Sequence, residues 1–248
     1  MNKIYSIWIC TLILMGFVLI NNCNSQQAVY PNDSKVFTTQ DRTIVPDFVP
    51  AIPLVRIDDP ANFEKHGYGK WHYGPGLPIQ KRLDLMPAGY INSSVSSAAT
   101  LLRFFTMTDI HITDKESPGQ AIFFAPFAGE NGISVCAPLM LYTTHMLDAA
   151  IQTINGLHKQ DPFDFGMALG DMANSTQYNE LRWFIDILDG KEINPDSGVK
   201  DDPIPGPDND YQDVYTAAGL DKSIPWYAVM GNHDHFWLGS KPMNDRMK

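Results

Sequence analysis

The 248-residue chain is poor in cysteine, short of basic charge, and carries no internal repeat or low-complexity tract. Each shortage excludes something. Its three cysteines are Cys10, Cys23 and Cys136, and the first two fall in or beside the N-terminal apolar segment. The body therefore holds Cys136 alone, and no internal disulfide framework is available to it. Cys136 lacks a CxxC partner and lies in the apolar stretch "GISVCAPLM", so it reads as a buried small hydrophobe rather than a reactive thiol. With 18 Lys+Arg against 28 Asp+Glu, the net charge is −10 and the pI about 5.0. A protein that grips nucleic-acid backbone needs a basic face, so no nucleic-acid backbone binding is expected. An anionic substrate stays open, because bound metal ions reverse the local sign of a site. The chain also lacks a GxSxG elbow, which removes the usual framework for a serine hydrolase.

Long apolar runs are confined to the N-terminus, where "MNKIYSIWICTLILMGFVLINNCNSQQ" has one lysine and then an apolar stretch from Ile7 to Ile20. That stretch is too short for a comfortable span and has the length of a signal-peptide core. Residues 1–25 are read as a signal peptide or an N-terminal anchor, and the protein as exported: periplasmic, cell-surface or extracellular. Cys23 resembles the lipid-modified cysteine of bacterial lipoproteins, although Asn21 and Asn22 stand where small residues are usual. Contact with a membrane is expected only through this segment or through lipidation at Cys23.

Residues 26–98 are rich in proline, glycine and aromatics, as in "VPDFVPAIPLVRIDDP" and "KHGYGKWHYGPGLPIQKR". Such prolines break helices and interrupt central strands, so an irregular extended arm is expected. Its cluster of His66, Trp71, His72 and Tyr73 suits aromatic pegs fastening the arm to a core, or alternatively the lining of a cleft.

Residues 99–248 carry the regular patterns. "LLRFFTMTDIH" and "DPFDFGMALGD" read as strands buried on both faces, and "SIPWYAVMGNHDH" as a third apolar strand. Between them, Leu147, Ala150, Ile151, Ile154 and Leu157 recur at helical spacing. A second helix is predicted over "STQYNELRWFIDILDG", with Tyr178, Leu181, Phe184, Ile185 and Leu188 on one side and Gly190 as its stop. Residues 191–222 read as a polar surface excursion, and Asp114 and Glu116 as a solvated loop. Strand–helix–strand–helix–strand predicts an α/β fold with a parallel sheet, whose ligand edge lies at the carboxyl ends of the strands.

Each of those three ends carries a polar cluster: "DIH" at 109–111, "GDMAN" at 170–174 and "GNHD" at 231–234. Taken singly, an ordinary role is open to each: a capping Asp109, a satisfied buried His111, an Asn232 that tolerates a tight turn. Jointly, carboxylate, imidazole and amide at all three ends point to mixed N/O metal ligation of the kind that suits Mn, Fe or Zn. Two such ions 3.5–4 Å apart hold a phosphate ester, lower the pKa of bound water and stabilise an in-line displacement.

The ordered set D-x-H, G-D-x-x-N/D, G-N-H-D/E resembles the calcineurin-like metallophosphoesterase superfamily, over roughly residues 100–240. The resemblance implies an α/β/β/α sandwich with two divalent or trivalent metal ions, hydrolysing a small phosphomonoester or phosphodiester. It implies Asp109 and His111 on the first metal, Asp171 bridging, Asn232 on the second metal, and His233 as the catalytic histidine. Asn174 departs from the common G-D-x-x-D form. It is read either as a substrate contact or as the N-cap of the following helix, with Gln177 as its box partner. Asp234 is read as turn-stabilising, and His145 and His158 as structural. The family pattern continues with another histidine and a G-H-x-H motif, whereas only "DHFWLGSKPMNDRMK" follows His233. The phosphoesterase domain is accordingly expected to be truncated and its sandwich incomplete. The alternative function is a catalytically incomplete fragment, or a non-catalytic binding module that keeps half of the metal site.

Overall fold

A computed structural model describes residues 36–47, 60–91, 99–120, 138–199 and 210–245. The N-terminal segment, Cys23 and Cys136 lie outside the described residues. Among those described, no helix is long and apolar enough to cross a membrane.

The arm contains more regular structure than its prolines suggest. β1 (Arg42–Pro46) pairs antiparallel with β2 (Trp71–Pro75), and the Arg42 guanidinium lies over the rings of Phe37 and Tyr73, 3.8 and 4.0 Å from their centroids. Both prolines sit at strand ends, where a missing N–H costs no ladder bond. Trp71 and Tyr73 stand exposed, so they are not pegs driven into the core. His72 Nδ1 pairs with Asp47 Oδ1 at 2.8 Å, and His66 Nδ1 with the Asn62 carbonyl at 3.0 Å. A contact between arm and domain is made by Val36, against Gly156.

The domain is mixed α/β. β3 (Phe104–Met107), β4 (Phe165–Ala168) and β7 (Trp226–Ala228) form a parallel sheet in the order β3-β4-β7. Two helices cross between these strands: α1 (Thr143–Gln160) and α2 (Tyr178–Asp189). α1 and α2 bury Leu147, Ile151, Phe184, Ile187 and Leu188 against Phe105, Ala168 and Ile112. Each fully buried aliphatic or aromatic side chain contributes about 1.5–3 kcal/mol. Two helical expectations change. Ala150 is exposed, and Tyr178 is 83% exposed, leaving Phe184, Ile187 and Leu188 as the buried stripe of α2. Gly190 ends α2 at φ 73° as expected, a left-handed position that favours glycine.

The segment after α2 is not a surface excursion throughout. β5 (Glu192–Ile193) pairs with β6 (Tyr215–Thr216), and Ile193, Ala217, Leu220 and Ile224 enter the core. Polar groups on α1 hold this return: Asp148 Oδ1 accepts from Ala218 N at 2.7 Å, and Asn155 Nδ2 donates to the Gly219 carbonyl at 2.7 Å. After β7 come a single helical turn, α3 (Asn232–His235), and a short hairpin of β8 (Phe236–Trp237) and β9 (Lys241–Pro242).

Among the described residues, the sheet is covered by helices on one face rather than two. Phe104 is stacked on Phe165, with centroids 5.1 Å apart, and Phe165 meets Tyr227 edge-on. Phe104, Tyr227 and Val229 are exposed beside them, as are Leu101 and Leu102 at the strand's approach. The strands are apolar on both sides, as a doubly covered sheet requires, but α1 and α2 occupy only one side.

Candidate metal centre

At the carboxyl edge the β3 and β4 loops run on side by side. Asp109 N donates to the Gly170 carbonyl at 3.2 Å, and His111 N and Ile112 N donate to the carbonyls of Asp171 and Met172 at 2.9 Å each. This keeps Asp109, His111 and Asp171 in register beyond the last ladder residue. All three have positive φ, at 53°, 49° and 53°, a region that non-glycine residues enter at a cost of about 1–3 kcal/mol. The remaining non-glycine cases among the described residues, Thr176 and Leu238, lie in segments that touch the same edge. Thr176 Oγ1 donates to the His233 carbonyl, and Leu238 N to Ser175 Oγ.

The β7 loop closes the third side. Asp234 is buried and acts as a two-headed clamp, its Oδ1 accepting from Ala173 N and its Oδ2 from Gly231 N, both at 2.8 Å. That is the turn-stabilising role its position suggested. His233 N donates to Asp171 Oδ1 at 2.9 Å.

The result is a group of His111, Asp171 and His233 whose ligand atoms all lie within 4.8 Å of one another, an arrangement able to hold a metal ion. The two imidazoles meet edge to face, 4.5 Å between centroids. His111 Nε2 stands 3.8 Å from Asp109 Oδ1 and 3.9 Å from Asp171 Oδ2. Two ligand bonds of about 2.1 Å to one ion would span such gaps.

The ring tautomers can be read from the partners. His233 Nδ1 lies 2.6 Å from the Asn174 carbonyl, which only accepts, so Nδ1 carries a proton. His111 Nδ1 lies 3.0 Å from Asn174 Oδ1, while Asn174 Nδ2 donates to Gln120 Oε1 at 2.6 Å. The amide therefore presents its oxygen to His111, whose Nδ1 is the donor. In the neutral ring the Nε2 lone pair is left facing the carboxylates, as a ligand histidine requires.

The anticipated residues divide into three. His111, Asp171 and His233 are brought together. Asp109 approaches His111, but its side chain is 65% exposed and accepts from Thr108 Oγ1 at 2.6 Å. Asn232 is exposed, with its Nδ2 donating to the Gly239 carbonyl at 3.0 Å. Asn174 is not the helix cap: α2 begins at Tyr178 after Gln177, and the reciprocal carboxylate is Glu180, whose Oε2 accepts from Gln177 N at 3.4 Å. Both polar atoms of the Asn174 side chain are already engaged by the protein.

Asp114 is no solvated loop residue. It is buried and accepts from Asn179 Nδ2 and Ser197 Oγ, each at 2.6 Å. Gln120 and Glu180, both 0% exposed, carry no sign of that burial in the sequence. Gln120 sits in a Pro/Gly stretch with no periodicity. Glu180 was visible as a helix-start carboxylate, but nothing local announced its burial.

Glu180 Oε1 accepts from Asp114 N at 3.0 Å and from Gln120 Nε2, and Oε2 accepts from Ser175 N at 2.8 Å. Burial pushes its carboxyl from the ordinary 4.5 up to about 7, opposed by these hydrogen bonds. A carboxyl raised on folding favours the folded state when protonated. Its contribution is complete below about pH 4.5 and is lost as pH rises through about 7, a change of the order of 3 kcal/mol. Urea unfolding of the wild type and Glu180→Gln across pH 4.5–8 should show their stability difference drifting by that amount. A constant difference would contradict the assignment.

No family model, curated protein or solved structure matches the chain. The class is therefore carried by fold and site together: a mixed α/β protein with a histidine–aspartate group able to hold a metal ion at the carboxyl edge of a parallel sheet.

Proposed function

We propose that this chain is an exported metal-dependent phosphoesterase, or a part of one, acting on a small phosphomonoester or phosphodiester. One observation carries the reading: three separate strand ends deliver His111, Asp171 and His233 within 4.8 Å of one another, with His111 Nε2 turned toward the carboxylates of Asp109 and Asp171. Acceptors and negative charges facing one another across a few ångströms are unfavourable unless a proton or a metal cation sits among them, and mixed imidazole and carboxylate donors suit the metal. The ordered motifs of the calcineurin-like superfamily supply the reaction class, and the export segment supplies the compartment.

In this reading His111 and Asp171 would hold metal, and Asp109 and Asn232 would complete two sites by turning in from their exposed positions. A pair of such ions, when bound, supplies Lewis-acid polarisation and a hydroxide nucleophile. His233 donates from Nδ1 to a carbonyl whether its ring is neutral or charged. As imidazolium its Nε2–H gives a proton to the leaving oxygen; as neutral imidazole its Nε2 is a third ligand. The α/β/β/α sandwich belongs to the same proposal, since the face that exposes Phe104 and Tyr227 among the described residues is where a second sheet would pack.

The test is metal content together with hydrolysis of aryl phosphate mono- and diesters by the purified chain, before and after chelation. Turnover that is lost with chelator and restored by Mn²⁺ or Zn²⁺ is expected; a chain that retains no metal and hydrolyses neither ester would refute the reading. The exposure of Asp109 and the tie between Asn232 and Gly239 favour a second reading, a half-site that binds metal without turnover. Metal retention with no hydrolysis would select it.

A further inference from the structure

A fully buried glutamine is an expensive residue, because all of its polar atoms must find partners in the interior. Gln120 is 0% exposed and bridges Glu180 and Asn174. Its Nε2 donates to Glu180 Oε1, and its Oε1 accepts from Asn174 Nδ2 at 2.6 Å. Asn174 Oδ1 in turn faces His111 Nδ1 at 3.0 Å.

With Glu180 ionised, as it is above about pH 7, the chain has only one consistent polarity. Among the described residues, the backbone N–H groups of Asp114, Ser175 and Gln177, whose sense is fixed, all donate to Glu180. A carboxylate ringed by donors is an acceptor at every one of them, so Gln120 must turn its amino group toward it. That leaves the Gln120 oxygen for Asn174, which must answer with its own amino group. The Asn174 oxygen is then the atom left for His111. Reversing either amide would set two acceptors or two donors face to face, at a cost of about 1–3 kcal/mol per buried group.

We propose that Glu180, Gln120 and Asn174 form a directional relay of positioning residues that holds His111 as the Nδ1–H tautomer, with Nε2 bare toward Asp171. The tautomer stands on geometry alone; its consequence for metal affinity rests on the reading of His111 as a ligand. The acid at the head of the relay lies two amides away from the imidazole and reaches it only through them. Without Gln120, the Asn174 amide is free to rotate and offer a donor to His111, which moves the imidazole proton to Nε2 and blocks ligation there.

The experiment combines long-range ¹H–¹⁵N NMR of the histidine rings in the metal-free chain, above about pH 8 where Glu180 is ionised and imidazole rings are neutral, with calorimetric titration of Zn²⁺. In the wild type His111 should be Nδ1–H. In Gln120→Leu the Nε2–H form should appear and Zn²⁺ affinity fall about 10- to 100-fold, the usual effect of removing a group that orients a ligand. Adding Asn174→Asp to Gln120→Leu should restore the Nδ1–H form, because a carboxylate accepts from His111 in either orientation. A merely structural role for Gln120 would not be rescued in this way.

A wild-type His111 found as Nε2–H overturns the relay, and this result needs no variant to fold. An unchanged tautomer in a folded Gln120→Leu overturns it as well. If the wild type shows Nδ1–H, Gln120→Leu shifts it and no Zn²⁺ binds to either, the relay stands and the metal-site reading fails.

Discussion

Replacement of Asp171 by asparagine is expected to lower Zn²⁺ or Mn²⁺ affinity at least about 100-fold, more than loss of an outer partner normally does, and to take ester hydrolysis to background. The residue has two separable duties. Its Oδ1 accepts from His233 N at 2.9 Å, and an amide oxygen can keep that bond. Its Oδ2 faces His111 Nε2 at 3.9 Å, where an amide nitrogen has no lone pair to offer. The fold should therefore survive while ligation is lost. Removing one negative charge from a cluster of acceptors should leave the urea midpoint of the metal-free chain unchanged or slightly higher. Calorimetric titration and a urea curve on the same preparation test both halves, and wild-type affinity in Asp171→Asn would remove this carboxylate from the site.

Gly231→Ala is expected to damage stability and site together. Gly231 has extended backbone, with φ −96° and ψ −175°, so its requirement is for space rather than for conformational freedom. An added Cβ would press into Asp171 Oδ1 and lie 2.5 Å from the Asp171 backbone nitrogen. On the other side of the same contact, a Cβ on Gly170 would meet the Gly231 Cα at 2.9 Å. The β4 and β7 loops thus touch glycine to glycine, and the obstruction is backbone, which cannot turn aside as a flexible side chain would. Overpacking of this kind costs about 1–3 kcal/mol, with the upper end expected here. Relief requires the loops to part, which carries Asp171 away from His233 N. A urea midpoint lowered by that amount and metal affinity reduced at least about tenfold are the expected readings. Wild-type values for both would mean that the loops do not meet as described.

The alternation of apolar runs and helical spacing already implied the β-α-β-α-β order, and the polar clusters at the strand ends implied which residues gather. His111, Asp171 and His233 gather as those clusters foretold. Asn174 shows where local reading stops. An asparagine followed three residues later by glutamine resembles a helix start, but Glu180 is drawn inward by the N–H groups of Asp114 and Ser175, and α2 starts at Tyr178 instead. Those partners come from loops 66 and 5 residues away, and nothing in the local pattern selects one over the other. Gln120 was invisible for the same reason, since its environment is made by elements distant in sequence.

The sequence by itself determined the parallel α/β order, the acidic balance and the three strand ends at which carboxylate and imidazole collect, because periodicity and strand polarity are local properties. Only the tertiary structure decided that both helices cover the same sheet face, that residues 193 and 217–224 return to the core, and that a buried glutamine and glutamate stand behind the asparagine that meets His111. Those outcomes depend on which surfaces meet and on which donors surround an acceptor. Both are set by long-range packing, to which the pattern along the chain is blind.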